Sequence, residues 1–159
     1  NNQSAWSSVY QLNITSLVSI TLDQDSITFG SLNPGDQDDT LDDSPKPFNF
    51  TNDGNVFINV SINATNDLWT TQSNPSENFQ FRANESSETG SFNTTQSTMN
   101  TWTNLPAITG ASVAVAWLNY TDTNDSAEIE IRIQVPPNEP SGSKSSTVNL
   151  LAELTSKTL

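Results

Sequence analysis

The strongest constraint on the fold is an alternation of apolar and polar residues with a period of two. The clearest case covers residues 127–135. A period of two places successive side chains on opposite faces of a β-strand. The apolar face of this strand consists of Ile129, Ile131, Ile133 and Val135, and the polar face consists of Glu128, Glu130, Arg132 and Gln134. We therefore predict a strand here, with its isoleucines in a hydrophobic core.

Shorter stretches repeat the pattern, and turn residues separate them. They lie at residues 10–14, 18–22, 27–29, 48–50, 56–62, 79–81, 113–117 and 148–154. Short strands at regular spacing with turn signals between them are typical of a β-sandwich. The sequence therefore predicts an all-β chain, folded as a single jelly-roll or immunoglobulin-like β-sandwich of about eight or nine strands.

A turn signal separates two of these stretches. Asp53-Gly54 lies between residues 48–50 and residues 56–62. Both residues of this pair tolerate the positive φ that a type I′ turn requires. We therefore predict a β-hairpin over residues 48–62, with the alternating apolar side chains of both strands facing the core.

Residues 1–15 are predicted to act as a strand of their own, distinct from a sandwich formed by residues 16–159. The apolar side chains of this first segment are Trp6, Val9, Tyr10, Leu12 and Ile14. In a monomer the segment would be an ordinary edge strand. In a fibre it would leave its own subunit and complete the sheet of a neighbour by strand addition.

Nine Asn-x-Ser/Thr motifs indicate a secreted glycoprotein with N-linked glycans. Three of them, at Asn49, Asn59 and Asn63, fall opposite the apolar positions of their strands, on the face predicted to meet solvent. The chain begins at Asn1 rather than Met, as a mature secreted chain does, although any other cut gives the same start. The candidate glycosylation sites are Asn2, Asn13, Asn49, Asn59, Asn63, Asn84, Asn93, Asn119 and Asn124.

The charge of the chain limits its partners. Five Lys and Arg residues stand against 18 Asp and Glu residues, so the net charge is −13. So few cations cannot neutralise a phosphate backbone, and an anionic membrane surface would repel the chain. No stretch approaches the roughly 18 apolar residues of a membrane-spanning helix. We therefore expect neither a nucleic acid partner nor a membrane span.

A dense group of acidic residues follows the turn at Pro34-Gly35. Calcium ions take about six to eight oxygen ligands, so a loop of this kind could hold one ion. A run of acidic residues is also compatible with a solvated loop that binds nothing. The candidate calcium ligands are Asp36, Asp38, Asp39, Asp42 and Asp43.

The chain contains neither His nor Cys. Zinc, copper, haem and iron–sulfur centres therefore lack their usual protein donors, and no imidazole base or thiolate nucleophile is present. Ser141 and Lys144 match an acyl-transfer motif, but they lie in a Gly/Ser loop with no partner motif. We expect no enzymatic activity and no cofactor other than the candidate calcium ion.

The order of several short motifs resembles the TasA/camelysin group of secreted biofilm-fibre proteins and their archaeal bundling-pilus relatives. The motifs are Leu32-Asn33-Pro34-Gly35-Asp36, Phe48-Asn49-Phe50, Asn52-Asp53-Gly54 and the run Val56 to Ile62. The resemblance covers roughly a third of the chain, from about residue 10 to residue 64. It implies a jelly-roll-like sandwich that polymerises by donating a strand to its neighbour. The chain would then be the structural subunit of an archaeal extracellular filament.

A second interpretation follows from the aromatic residues in a polar region, residues 69–103. If Trp69 and Trp102 are exposed, they could stack on sugar rings. The chain would then be a monomeric carbohydrate-binding or adhesive cell-surface module. If they are buried, they fill the core beneath long loops.

Overall fold

A computed structural model describes residues 13–155 of the chain. These residues form two antiparallel sheets packed as a β-sandwich, which confirms the predicted fold class. None of them forms a helix that could cross a membrane. The strands are β1 (Thr21–Gln24), β2 (Gln37–Asp39), β3 (Phe48–Thr51), β4 (Ile58–Ala64), β5 (Phe79–Glu85), β6 (Thr103–Asn104), β7 (Ser112–Leu118), β8 (Ser126–Gln134) and β9 (Val148–Leu154).

The two sheets differ in size. The large sheet has the order β1-β3-β8-β5-β6, and β2 pairs with the far end of β8. The small sheet has only three strands, in the order β7-β4-β9. Strand β8 is therefore the centre of one sheet, and β4 is the centre of the other.

The core lies between β8 and β4, as the alternation predicts. Ile129 on β8 is fully buried, as are Ile58 and Val60 on β4. Burial of each such side chain contributes roughly 1.5–3 kcal/mol. Loops also contribute to the core: Trp69 is only 6% exposed, and its indole N–H donates to the carbonyl oxygen of Asn78 at 3.0 Å.

The predicted hairpin over residues 48–62 is wrong. Strand β3 belongs to the large sheet and β4 to the small one, so the chain crosses between sheets at residues 52–57. Neither Asp53 nor Gly54 has a positive φ. The turn is instead formed by Asn52, whose side-chain oxygen accepts a hydrogen bond from the backbone N–H of Gly54 at 3.0 Å. This local bond is typical of an Asx turn.

The side chain of Asn52 also joins the crossing to β7. It is 1% exposed. Its amide nitrogen donates to the carbonyl oxygens of Val56 at 3.0 Å, Leu118 at 3.3 Å and Asn119 at 2.8 Å. One buried amide therefore ties β3, the start of β4 and the end of β7 together.

Three smaller predictions also need correction. The strand predicted over residues 18–22 begins only at Thr21, and residues 27–29 form no strand. Glu130 lies on the polar face of β8 but is buried, because Thr40 covers it and donates its hydroxyl hydrogen to the Glu130 carboxylate. The cover comes from the start of the segment between β2 and β3, in the acidic stretch for which the sequence left a calcium-binding loop and a solvated loop open.

The carboxylate of Glu139 links the loop that follows β4 to the loop that follows β8. Its carboxylate accepts hydrogen bonds from the backbone and hydroxyl groups of Thr70 and Thr71 at 2.6–3.1 Å, and it forms an ion pair with Lys144 at 2.5 Å. Burial alone would raise the pKa of Glu139, but Lys144 and the two threonines hold this pKa well below its usual range. The carboxylate therefore stays ionised and links residues 70–71 to residues 139–144.

Replacing Asn52 by Ala should destabilise the fold by about 3 kcal/mol, because the carbonyl oxygens of three buried or half-buried residues lose their shared donor. The effect is measured as a lower midpoint of urea unfolding with an unchanged slope. The matched control is Asn138→Ala, since Asn138 is exposed and makes no side-chain hydrogen bond within residues 13–155. A shift no larger than that of the control would refute the role of Asn52.

Candidate functional site: the open edge of strand β9

Strand β9 forms an edge of the small sheet. It pairs with β4 from Ile58↔Leu154 to Ala64↔Val148. Within residues 13–155 the backbone groups on the other side of β9 have no hydrogen-bond partner. An unpaired row of N–H and C=O groups is a template for a further strand.

The other long edge of the small sheet is covered. The backbone N–H groups of Asn93 and Thr98 donate to the carbonyl oxygens of Ala116 and Ala114 on β7, at 2.9 and 3.0 Å. The hydroxyl oxygen of Ser97 accepts the N–H of Ala116 at 2.9 Å. At the edges of the large sheet, β1 has four residues and β6 has two. Strand β9 is thus the longest uncovered edge in the described part of the chain.

The core is incompletely covered along β9. Val148, Leu150 and Ala152 face the core from β9 but are only half-buried. Their partners on β4 are at most 1% exposed. Leu154 is 59% exposed, although it pairs with the fully buried Ile58. The edge therefore offers apolar surface together with unpaired backbone groups.

The described part of the N-terminal segment is attached near this edge. The backbone N–H of Leu17 donates to the side-chain oxygen of Asn55 at 2.7 Å, and the N–H of Asn55 donates to the carbonyl oxygen of Leu17 at 3.1 Å. The side-chain amide of Asn55 also donates to the carbonyl oxygen of Thr15 at 3.0 Å. Asn55 lies three residues before Ile58, which pairs with the last residue of β9.

The two described residues before this attachment, Asn13 and Ile14, are exposed. Ile14 is 80% exposed. The other apolar side chains predicted for a subunit interface, namely Trp6, Val9, Tyr10 and Leu12, lie outside the described residues. The structure thus places the attachment point of the candidate donor strand.

Gly54 is required where the N-terminal segment crosses the turn. A Cβ at this position would lie well inside van der Waals contact of the carbonyl oxygen of Leu17. The close approach of two backbones, rather than a positive φ, therefore explains the glycine.

Replacing Gly54 by Ala should detach residues 15–17 from the turn, because the new methyl group occupies the position of a backbone oxygen. Hydrogen exchange of the Leu17 and Asn55 amides should become faster, while the amides of β8 stay protected. The control is Gly110→Ala, where the nearest atom to a new Cβ is 3.8 Å away, an ordinary contact. If the Leu17 and Asn55 amides of the Gly54→Ala variant exchange at the wild-type rate, the close contact at Gly54 does not hold residues 15–17 to the turn.

The described glycosylation motifs fall into two groups. The side-chain amides of Asn49, Asn84 and Asn124 donate to Glu128, Glu130 and Thr89, respectively. The side-chain oxygens of Asn59, Asn63, Asn93 and Asn119 accept hydrogen bonds, whereas their amide nitrogens have no partner within residues 13–155. Asn13 is exposed, and Asn2 lies outside the described residues. A glycan would therefore meet least resistance in the second group and at Asn13.

The candidate calcium ligands do not converge. Hydrogen bonds from the backbone and side chain of Asn33 lower the pKa of Asp36. Asp38 and Asp39 are successive residues of β2, so their side chains leave opposite faces of the strand. Asp42 accepts the backbone N–H of Ser44. Across residues 13–155, no three acidic side chains are arranged to hold a metal ion. The fifth candidate, Asp43, is an exposed residue with a positive φ.

An acidic cleft that the sequence did not reveal lies at the β1–β3–β8 end of the large sheet. It has a volume of about 410 Å³. Its carboxylate residues are Asp23, Asp53, Glu88, Asp122 and Asp125. Burial raises the pKa of Asp125, and the neighbouring Glu88 raises it further. Apart from Asp122 and Asp125, these residues are distant in sequence, so no local pattern could predict the cleft.

The burial of Trp69 corrects one part of the carbohydrate interpretation. At 6% exposure its ring belongs to the core and cannot stack on a sugar. Trp102 is half-buried and lies beside two arginine side chains.

Comparison with known proteins adds no further information. No protein-family model, curated protein or solved structure matches the chain.

Proposed function

We propose that this chain is the repeating subunit of an extracellular filament. Residues 1–14 of one subunit would add a strand to the β9 edge of the next. The observation that carries the proposal is the open edge of β9, where unpaired backbone groups adjoin an incompletely covered core.

The length of the N-terminal segment suits this role. Fourteen extended residues span at most roughly 46–50 Å. Pairing with the seven residues of β9 requires about 24 Å. The remaining length can bridge two subunits, or return the segment to the β9 edge of its own subunit in a monomer.

Side-chain burial would decide the stability of each join. Ordering the backbone costs roughly 1–2 kcal/mol per residue, and each new hydrogen bond returns only about 0.5–1.5 kcal/mol. The balance must come from the apolar side chains, at roughly 1.5–3 kcal/mol each when fully buried. The five donor side chains are Trp6, Val9, Tyr10, Leu12 and Ile14.

The chemistry of the surface supports a secreted location. The glycosylation motifs at Asn59 and Asn63 lie on the outer face of β4, where their amide nitrogens are free of partners within residues 13–155. N-linked glycans there would point away from the core. Together with the resemblance to archaeal bundling pili, this supports an archaeal cell-surface glycoprotein of the biofilm matrix.

Deleting residues 1–14 should leave a folded monomer that cannot polymerise. Size-exclusion chromatography and negative-stain electron microscopy would measure the loss. A synthetic peptide of residues 1–14 should bind the truncated protein and raise its melting temperature, because it fills the β9 edge. A peptide with Tyr10, Leu12 and Ile14 changed to Asp is the matched control. Filaments formed by the truncated protein would contradict the proposal.

The absence of native cysteine allows the acceptor edge to be identified by cross-linking. Subunits carrying Gln11→Cys, on the opposite face of the donor strand from Tyr10 and Leu12, are mixed with subunits carrying Leu151→Cys on the outer face of β9, and disulfide-linked dimers are counted after oxidation. Subunits carrying Thr21→Cys on the β1 edge serve as the control, since Thr21 is also exposed. Equal cross-linking to β1 and β9 would refute β9 as the acceptor.

A further inference from the structure

The outer face of the large sheet bears a cluster of two arginines and a tryptophan. The guanidinium carbon of Arg132 lies 4.3 Å from the ring centroid of Trp102, and that of Arg82 lies 5.1 Å from it. The register of β5 and β8 causes this convergence, since Gln80 pairs with Arg132 and Arg82 pairs with Glu130. Two of the five cations of the whole chain thus meet at one ring.

Neither arginine forms an ion pair within residues 13–155, although Asp39 lies opposite Arg132 in the strand register and acts on it electrostatically. In the described part of the chain the single ion pair joins Lys144 to Glu139, so neither guanidinium has a carboxylate oxygen within 4.0 Å. Glu130, the cross-strand neighbour of Arg82, directs its carboxylate to Thr40 and Asn84 instead. Such unpaired cations are unexpected in a chain with a net charge of −13.

One guanidinium of the cluster has no acceptor within residues 13–155. The Nε of Arg82 is buried and lacks a hydrogen-bond partner there. A buried donor without an acceptor is costly, and native proteins usually pair such groups. The terminal nitrogens of Arg82 likewise have no partner in the described part of the chain but are not buried, so they are the groups that a ligand can reach.

The other arginine is held in a fixed orientation. Both Nε and one terminal nitrogen of Arg132 donate to the side-chain oxygen of Gln80, at 3.1 and 2.8 Å. The amide nitrogen of Gln80 in turn donates to Asn104 at 2.8 Å. This chain of contacts leaves one terminal nitrogen of Arg132 available for a ligand.

We propose that Arg82, Arg132 and Trp102 form a binding site for a uronic-acid saccharide, with the sugar carboxylate on the two guanidinium groups. The planar fork of an arginine matches the geometry of a carboxylate. The two guanidinium groups lie over the Trp102 ring, and the part of the half-buried indole that stays exposed supplies apolar surface beside a sugar ring. The exposed amide of Asn104 supplies polar groups for hydroxyls. The site does not overlap the β9 edge, so it does not depend on filament assembly.

The site keeps Trp102, one of the two tryptophans predicted to stack on sugars, whereas the other, Trp69, is buried in the core. It differs from that prediction in its two arginines, which add a charged group to neutral stacking. Here the guanidinium groups make the carboxylate, rather than the ring, the main determinant. A neutral saccharide of the same size should therefore bind much more weakly.

The test compares an oligogalacturonate, its methyl-esterified form and a neutral galactose oligomer of equal length, by calorimetry at about 0.15 M salt. The full-length protein should bind the free acid at least about tenfold more tightly than either neutral ligand. Equal binding of the esterified ligand, or no binding of the acid, would overturn the proposal. This arm requires no substitution and so cannot fail through misfolding.

Substitutions then assign the residues. Arg82→Gln with Arg132→Gln should weaken binding of the acid at least about tenfold, because each charge-assisted hydrogen bond is lost. The matched control, Lys46→Gln, removes an exposed cation elsewhere and should leave binding unchanged. If the double arginine variant and the Lys46→Gln variant lose the same affinity for the acid, only the overall charge matters and the site is refuted. So would a double variant that binds normally but loses contact between subunits in sedimentation, since the partner of the arginines would then be a second copy.

Discussion

The buried side chain of Asn52 is the interaction on which the arrangement of the two sheets depends. It forms the turn at Gly54 and satisfies carbonyl oxygens at Val56, Leu118 and Asn119. These bonds allow β3 to end in one sheet and β4 to begin in the other without leaving buried polar groups unpaired. The same turn receives the N-terminal segment at Asn55, so the crossing of the chain also sets where that segment leaves the sandwich.

The unequal size of the two sheets explains where the sandwich remains open. A three-stranded sheet cannot cover a larger one completely. Other residues of the described part of the chain cover only one of its two long edges. The segment from Asn93 to Thr98 covers β7, whereas nothing in the described part of the chain covers β9. The unsatisfied edge and the exposed Leu154 lie near the point of attachment at Asn55. An added donor strand would pair the backbone groups of β9 and would also bury its exposed apolar side chains.

The parts of the fold that depend on local alternation could be predicted, and the parts that depend on distant partners could not. Side chains alternate along any strand, so the buried faces of β4, β5 and β8 followed from the sequence. The hairpin failed because Asp53-Gly54 is compatible with a tight turn, while the contacts of Asn52 with residues 66 and 67 positions later decide the geometry. The cover over Glu130 and the convergence of Arg82 with Arg132 likewise arise from strand register, which a single sequence does not display. The sequence suggested a donor role for the N-terminal segment, which stays a prediction, but the open edge of β9 became visible only with the strand order.

If subunits join by adding residues 1–14 of one to β9 of the next, electron cryo-microscopy of the assembled full-length protein should reveal the added strand. We expect filaments in which density for an extra strand, continuous with Thr15 of a neighbouring subunit, runs along β9. Filaments with an unoccupied β9 edge, or a protein that stays monomeric at every concentration, would contradict it.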